Sequence, residues 1–295
     1  MDEFIQTADG VRLFVETLGQ GEAAIIIPNA IYMRRGFERL AQKHRLILFD
    51  LRNRGRSDAG AQPDGIWNDV EDIEAVRAHF GLESVKLIGH SYLGLVVALY
   101  AMRYPARVSR VIQMSPAQPE LGKSYAPPLS YSDEVLRQTW AALQGMEGER
   151  ATLDPAEFCR KWWSVARRLF VQDPEHVEWI SEWGFCELEN ERSFMKHWIA
   201  NIVPSLQKLR LGPEDFARVT CPVLTIHGTK DRSAPYGGAV DWARQLPRGK
   251  LLTVEGAGHV PWVEAPEVVW EEVEEFLASP QEPFSSPPVE TDECR

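Results

Sequence analysis

Residues Val85-Lys86-Leu87-Ile88-Gly89-His90-Ser91-Tyr92-Leu93-Gly94 run from a buried-strand pattern directly into a buried-helix pattern. Leu93 to Met102 is apolar all round, so the helix it opens is expected to lie deep under a sheet. A serine at such a turn is pushed into a strained conformation, with its hydroxyl exposed at the carboxyl edge of the sheet. The helix N-terminus behind it presents free N–H groups that favour developing negative charge.

On both sides of this turn the chain alternates strand and helix signals. Ala23 to Ile27, Leu46 to Phe49, Val108 to Met114, Pro222 to Ile226 and Lys250 to Val254 read as buried strands. Val11 to Val15 reads as one strand of a hairpin turned at Gly19-Gln20-Gly21. Val70, Ile73, Val76 and Phe80 share one face of a helix that Gly81 stops, and a last amphipathic helix runs from Pro266 to Leu277. Such alternation predicts an α/β fold, a parallel sheet with helices on both faces. Between residues 119 and 215 the strand signal vanishes. Helical segments near 131–147, 155–172, 174–184 and 187–202 take its place and hold six of the ten tryptophans. The organisation read from the sequence is therefore a core in two parts, 1–118 and 216–278, split by a helical lid at 119–215. Residues 279–295 are expected to form a disordered acidic tail.

The net charge of −11 does not spread over the chain: residues 264–295 hold ten acids and one base. The remainder is nearly neutral and has no basic face, which argues against nucleic-acid and anionic-membrane partners. Cys159, Cys186, Cys221 and Cys294 form no C-x-x-C pair and predict neither a zinc site nor a disulfide framework. With an acidic start and no long apolar span, a soluble cytoplasmic protein in a reducing compartment is expected.

A serine hydroxyl is a poor nucleophile until a carboxylate-oriented imidazole takes its proton. Asp231, after one strand in Ile226-His227-Gly228-Thr229-Lys230-Asp231, and His259, after the next in Gly256-Ala257-Gly258-His259, follow Ser91 in the required order. With these residues the chain resembles the α/β-hydrolase family from Thr7 to Leu277. Thr7 to Leu13 is similar to the family's first hairpin. Asp50-Leu51-Arg52-Asn53-Arg54-Gly55-Arg56-Ser57 is similar to its D-x-R-G-x-G-x-S loop, and Gly258-His259 with Glu264-Ala265-Pro266 to its histidine block. Two departures stand out: Leu93 where the family prefers a small residue, and Pro28-Asn29 in place of His-Gly.

The resemblance implies a mostly parallel, eight-stranded type of sheet and a catalytic set of Ser91, Asp231 and His259. It also implies an oxyanion hole from the backbone N–H of Tyr92 and, since Pro28 has no N–H, from that of Ala30, with Ile31 as the fallback. Ile31, Trp183, Phe185 and Val260 are the expected substrate-pocket residues, and Trp162 and Trp163 are expected in the lid core. The three loop arginines are expected to be structural. The implied activity is hydrolysis of a small carboxylic ester, lactone or related acyl bond, without metal or organic cofactor. A proline-iminopeptidase-like peptidase, holding the substrate amine with Glu182, Glu187, Glu189 or Glu191, is the alternative. A C–C bond hydrolase and a hydrolase-like receptor with little turnover stand behind it. A small-molecule acyl substrate is the expected partner, and a homodimer stays open.

Overall fold

A computed structural model describes residues 1–21, 24–60, 64–120, 122–125, 133–181 and 184–280. Its strands are β1 (Asp2–Gln6), β2 (Arg12–Leu18), β3 (Ala24–Pro28), β4 (Arg45–Phe49), β5 (Val85–His90), β6 (Val108–Met114), β7 (Val223–Gly228) and β8 (Gly249–Val254). They form one sheet in the order β1-β2-β4-β3-β5-β6-β7-β8. From β4 to β8 all neighbours are parallel, while β1–β2 and β2–β4 are antiparallel. This is the α/β-hydrolase fold, eight-stranded and mostly parallel.

The first hairpin lies over Thr7–Leu13, as the resemblance implies, and not where the strand pattern set its turn. It turns at Thr7–Val11, where Thr7 N–H donates to Val11 O at 2.9 Å, and not at Gly19-Gln20-Gly21. Those glycines lead to β3, which does not pair with β2 because β4 lies between them. Gly19 is needed for room as well as for its positive φ, since a Cβ there would collide with the carbonyls of Ala41 and His44.

Helices cover both faces. On one lie α2 (Ile66–His79) and α3 (Tyr92–Arg103), whose residues Leu93 to Met102 are all buried, as the unbroken apolar run requires. On the other lie α1 (Ala30–Phe37) and, at the end of the core, the helix Pro266–Ala278, which contributes Val269, Trp270 and Val273. The insertion between β6 and β7 contains α4 (Glu134–Gly145), α5 (Pro155–Ala166), α6 (Val177–Ser181), α7 (Glu189–His197) continued by a π-helical turn Trp198–Ile202, and α8 (Val203–Lys208). Leu136, Leu143, Phe158, Ala166 and Leu169 give it a small core of its own. No helix among the described residues is long and apolar enough to cross a membrane. The acidic tail from residue 281 onward lies outside the described residues.

One cysteine expectation is overturned. Cys159 of α5 and Cys186 form a disulfide with their Cα atoms 5.6 Å apart, while Cys221 is free and buried. The pair is 27 residues apart in sequence, and only the folding back of the inserted helices brings it together. Cysteine usage therefore no longer argues for a reducing compartment.

Candidate active site

Ser91 joins β5 to α3 with φ 56° and ψ −124°, a conformation L-residues rarely adopt. Two glycines make the turn possible. A Cβ on Gly89 would strike the Leu93 carbonyl, and one on Gly94 would come within 2.9 Å of Pro116 Cβ. Leu93, large where the family prefers a small residue, is accommodated: it is buried and is among the residues lining the cavity beside Ser91. Ser91 N–H donates to Met114 O at 2.9 Å, and Ser91 O accepts from Gly94 N and Ala117 N. The turn is thus pinned to both neighbouring segments.

Tyr92 and Ala30 are the first residues of α3 and α1, so their N–H groups belong to the set that helices leave without intrahelical partners. Tyr92 is anchored through its hydroxyl, which donates to Asp69 Oδ2 at 2.5 Å. Burial, opposed by that hydrogen bond, pushes the Asp69 carboxyl up to about 7.

Asp231 and His259 come together as expected: His259 Nδ1 donates to Asp231 Oδ2 at 2.7 Å. Asp231 Oδ1 accepts from the backbone N–H groups of Ser233 and Ala234 at 2.7 and 2.9 Å. Burial alone would raise this carboxyl, but His259 and His227 outweigh it and hold it well below the usual carboxylate range. His259 Nε2 is buried and has no hydrogen-bond partner among the described residues. The imidazole packs against His90 and Phe170, with ring centroids 4.5 and 5.3 Å away. His90 is itself fixed, accepting from Tyr32 OH on Nδ1 and donating from Nε2 to His259 O. Desolvation lowers its pKa well below the ordinary value, which suits this neutral role.

The Glu264 block has a visible purpose. Its carboxylate accepts N–H groups from Gly258, Gln172 and Asp173 at 2.5, 2.7 and 2.9 Å. His259 N–H donates to Phe170 O at 2.8 Å. The histidine loop is thereby tied to the insertion. The arginines of the Asp50–Ser57 loop are also engaged: Arg52 with Asp72, Arg56 with Asp50, and Arg54 bidentately with Glu191 of α7 at 2.9 and 3.0 Å.

A cavity of about 200 Å³ opens over Ser91, mostly apolar in its walls. Tyr32, Tyr92 and Leu93 come from the core, and Trp163, Phe170, Met195 and Trp198 from the insertion. Asn29, Arg54 and His90 are its polar members besides Ser91. The expected pocket set needs correction. Ile31 and Val260 are absent from this lining: Ile31 packs half-buried on the core, and Val260 is fully buried in it. Trp183 lies outside the described residues, and of Phe185 only the backbone is described, in a short 3₁₀ turn. Trp163, expected in the lid core, lines the cavity, whereas Trp162 does not. Sequence reasoning missed Asn29, Tyr32, Arg54, Phe170, Met195 and Trp198 as lining residues. The one available signal was the replacement of His-Gly by Pro28-Asn29 at a strand end.

The pattern of the alpha/beta hydrolase fold family matches residues 27–266, and the chain belongs to that family. The AB hydrolase superfamily protein YisY of Bacillus subtilis is 25% identical to it over 287 residues, 95% of this chain and 100% of that protein. A proline iminopeptidase of Heyndrickxia coagulans is 23% identical over 274 residues, 85% of this chain and 87% of that protein. Among solved structures, an esterase from Exiguobacterium antarcticum is similar in fold, with a TM-score of 0.72 at 21% identity over 95% of this chain and 100% of that one.

Proposed function

We propose that this protein is a serine hydrolase that cleaves small carboxylic esters or lactones through an acyl-enzyme. The observation that carries the reading is His259: Nδ1 is held by buried Asp231, and Nε2 is unpartnered beside the cavity residues that flank Ser91. Ser91 Oγ attacks the carbonyl carbon as His259 Nε2 takes its proton. Asp231 fixes the tautomer and stabilises the imidazolium. The Tyr92 and Ala30 N–H groups receive the oxyanion, a contribution of about 3 kcal/mol per donor in such sites. His259 then protonates the leaving alcohol, and water activated by the same imidazole releases the acid. None of these steps calls for a metal or organic cofactor.

A small, largely apolar cavity supports a compact acyl substrate. The peptidase alternative has a relative in its favour but needs a free carboxylate facing the site. Glu191 is taken by Arg54, and Glu187 and Glu189 are exposed outside the cavity lining. Glu182 lies outside the described residues. Labelling by a fluorophosphonate together with turnover of p-nitrophenyl esters tests the proposal. Ser91→Ala should abolish labelling and lower kcat by about 10⁴-fold or more. A wild-type protein that neither labels nor turns over any ester would be a binding protein instead.

A further inference from the structure

Asn29 ends β3 and precedes α1 with φ 68° and ψ 75°, in the left-handed region where glycine sits without strain. Its side chain caps nothing. The residue is 1% exposed, and neither Nδ2 nor Oδ1 has a hydrogen-bond partner among the described residues. Native chains rarely leave a buried amide wholly unpaired unless something else completes it. Glycine would take this backbone and leave no orphaned atoms, so the asparagine needs a reason.

The cavity supplies a place for one. Asn29 lines it together with Ser91. β3 and β5 are adjacent and parallel, with Ile26 opposite Leu87, so Asn29 stands at the level of His90, the residue before Ser91. Both strands end there, and Asn29, His90 and Ser91 line one cavity. Ala30, next in the chain, is the second oxyanion donor in the proposed mechanism. The amide therefore borders the position of the reacting carbonyl. An ester carbonyl has only acceptor atoms and would satisfy Nδ2 alone. A hydroxyl both accepts and donates, and can meet Nδ2 and Oδ1 together.

The geometry points to Asn29 as a specificity-determining residue whose side-chain amide binds a hydroxyl on the acyl group beside the scissile carbonyl. The substrates are then hydroxyacyl esters or lactones. This deepens, and rests on, the reading of Ser91 as a hydrolytic nucleophile.

Phenyl lactate and phenyl propionate differ only in that hydroxyl. The wild-type kcat/KM ratio should favour lactate by about tenfold or more, because the orphaned amide rejects the analogue that lacks the group. Asn29→Gly, which suits the backbone, should bring the ratio to near one. Asn29→Asp, which keeps the shape and loses the donor, should also lower it. An equal wild-type preference for the two esters, or the same ratio in Asn29→Gly as in wild type, overturns the assignment. A second measurement separates it from the catalytic reading: calorimetric binding of lactamide and propionamide to Ser91→Ala protein, with and without Asn29→Gly. If no ester is cleaved but lactamide binds about tenfold tighter and loses that advantage in Asn29→Gly, the catalytic reading falls, and with it the ester specificity, while hydroxyl binding by the Asn29 amide stands. If esters are cleaved without preference, the catalytic reading stands and the Asn29 site falls. With neither turnover nor preferential binding, both fall.

Discussion

His227 Nε2 stands 3.0 Å from Asp231 Oδ2, the same oxygen that His259 Nδ1 approaches to 2.7 Å. Its N–H is shared with the carbonyl of Ala234 at 3.2 Å, and the ring is fully buried. Asp231 thus receives two imidazoles on one oxygen and two backbone N–H groups on the other. His227 acts on His259 only through this carboxylate, which makes it a positioning residue. Hydrogen bonds to charged groups contribute about 1.5–3 kcal/mol. His227→Phe keeps an aromatic ring and removes the donor, and should lower stability by about that amount. In the proposed mechanism its kcat should fall about tenfold with KM little changed. His227→Gln, which restores an N–H, should recover most of the kcat. Loss of stability with kcat intact in His227→Phe would reduce the residue to a packing role.

The Arg54–Glu191 pair joins the Asp50–Ser57 loop to α7, and Glu191 Oε1 also accepts the Gly55 N–H at 2.8 Å. Both side chains are largely buried. Removing one partner of such a pair typically costs about 3–5 kcal/mol, whereas replacing both with apolar groups of similar volume is often neutral. Glu191→Gln should therefore lower the thermal midpoint clearly. The double variant Arg54→Met/Glu191→Leu should be more stable than either single one, and a double-mutant cycle in urea measures the coupling. Additive losses would show that the pair does not clamp the insertion to the core.

Asp69 makes stability depend on pH with a definite sign. Its carboxyl titrates near 3.8 when unperturbed and about 7 in the fold, where desolvation is the main cause. Between those values the folded state holds a proton that the unfolded chain has lost. The Asp69 contribution is complete below the unfolded value and is lost as pH rises toward 7, at about 1.4 kcal/mol per pH unit. Asp69→Asn removes this dependence and leaves an acceptor for the Tyr92 hydroxyl. The thermal midpoint of Asp69→Asn relative to wild type should therefore climb as the pH is raised from 4 to 7. A difference that stays flat across that range would mean that Asp69 is already ionised in the fold.

The framework around Ser91 was readable because it rests on local rules. Gly89 is required by backbone contacts within five residues, and the apolar run of α3 reports directly that it is buried. The order of Ser91, Asp231 and His259 follows from strand ends, which buried runs mark well. What could not be read depends on partners distant in sequence. The Gly19–Gly21 turn resembled a hairpin because nothing local reveals that β4 inserts between β2 and β3. Cys159 and Cys186 meet only through the path of the inserted helices. Trp162 and Trp163 differ by a rotation of one residue about α5, so their fates depend on how that helix is rolled against the core.

That rotation underlies the last prediction. Trp163 lines the cavity and lies 5.7 Å, centroid to centroid, from Phe170, which also packs on His259. Trp198 also lines the cavity and meets Tyr92 edge to face at 5.0 Å. Trp162 faces a separate surface groove with Trp140 and Leu143. Large rigid rings of this kind bound the space left for an acyl chain. Trp163→Ala and Trp198→Ala should shift relative kcat/KM among p-nitrophenyl esters toward longer chains, by about 1–3 kcal/mol between extremes. Trp162→Ala should lower the thermal midpoint while leaving the chain-length profile of the parent. The Trp163 and Trp198 variants should differ, because Trp198 packs on Tyr92, whose N–H is a proposed oxyanion donor. Trp198→Ala should thus lower kcat on short esters as well, and Trp163→Ala should do so less. If all three variants keep the wild-type profile, the inserted helices do not set chain length, and selectivity must reside in core residues such as Tyr32 and Leu93.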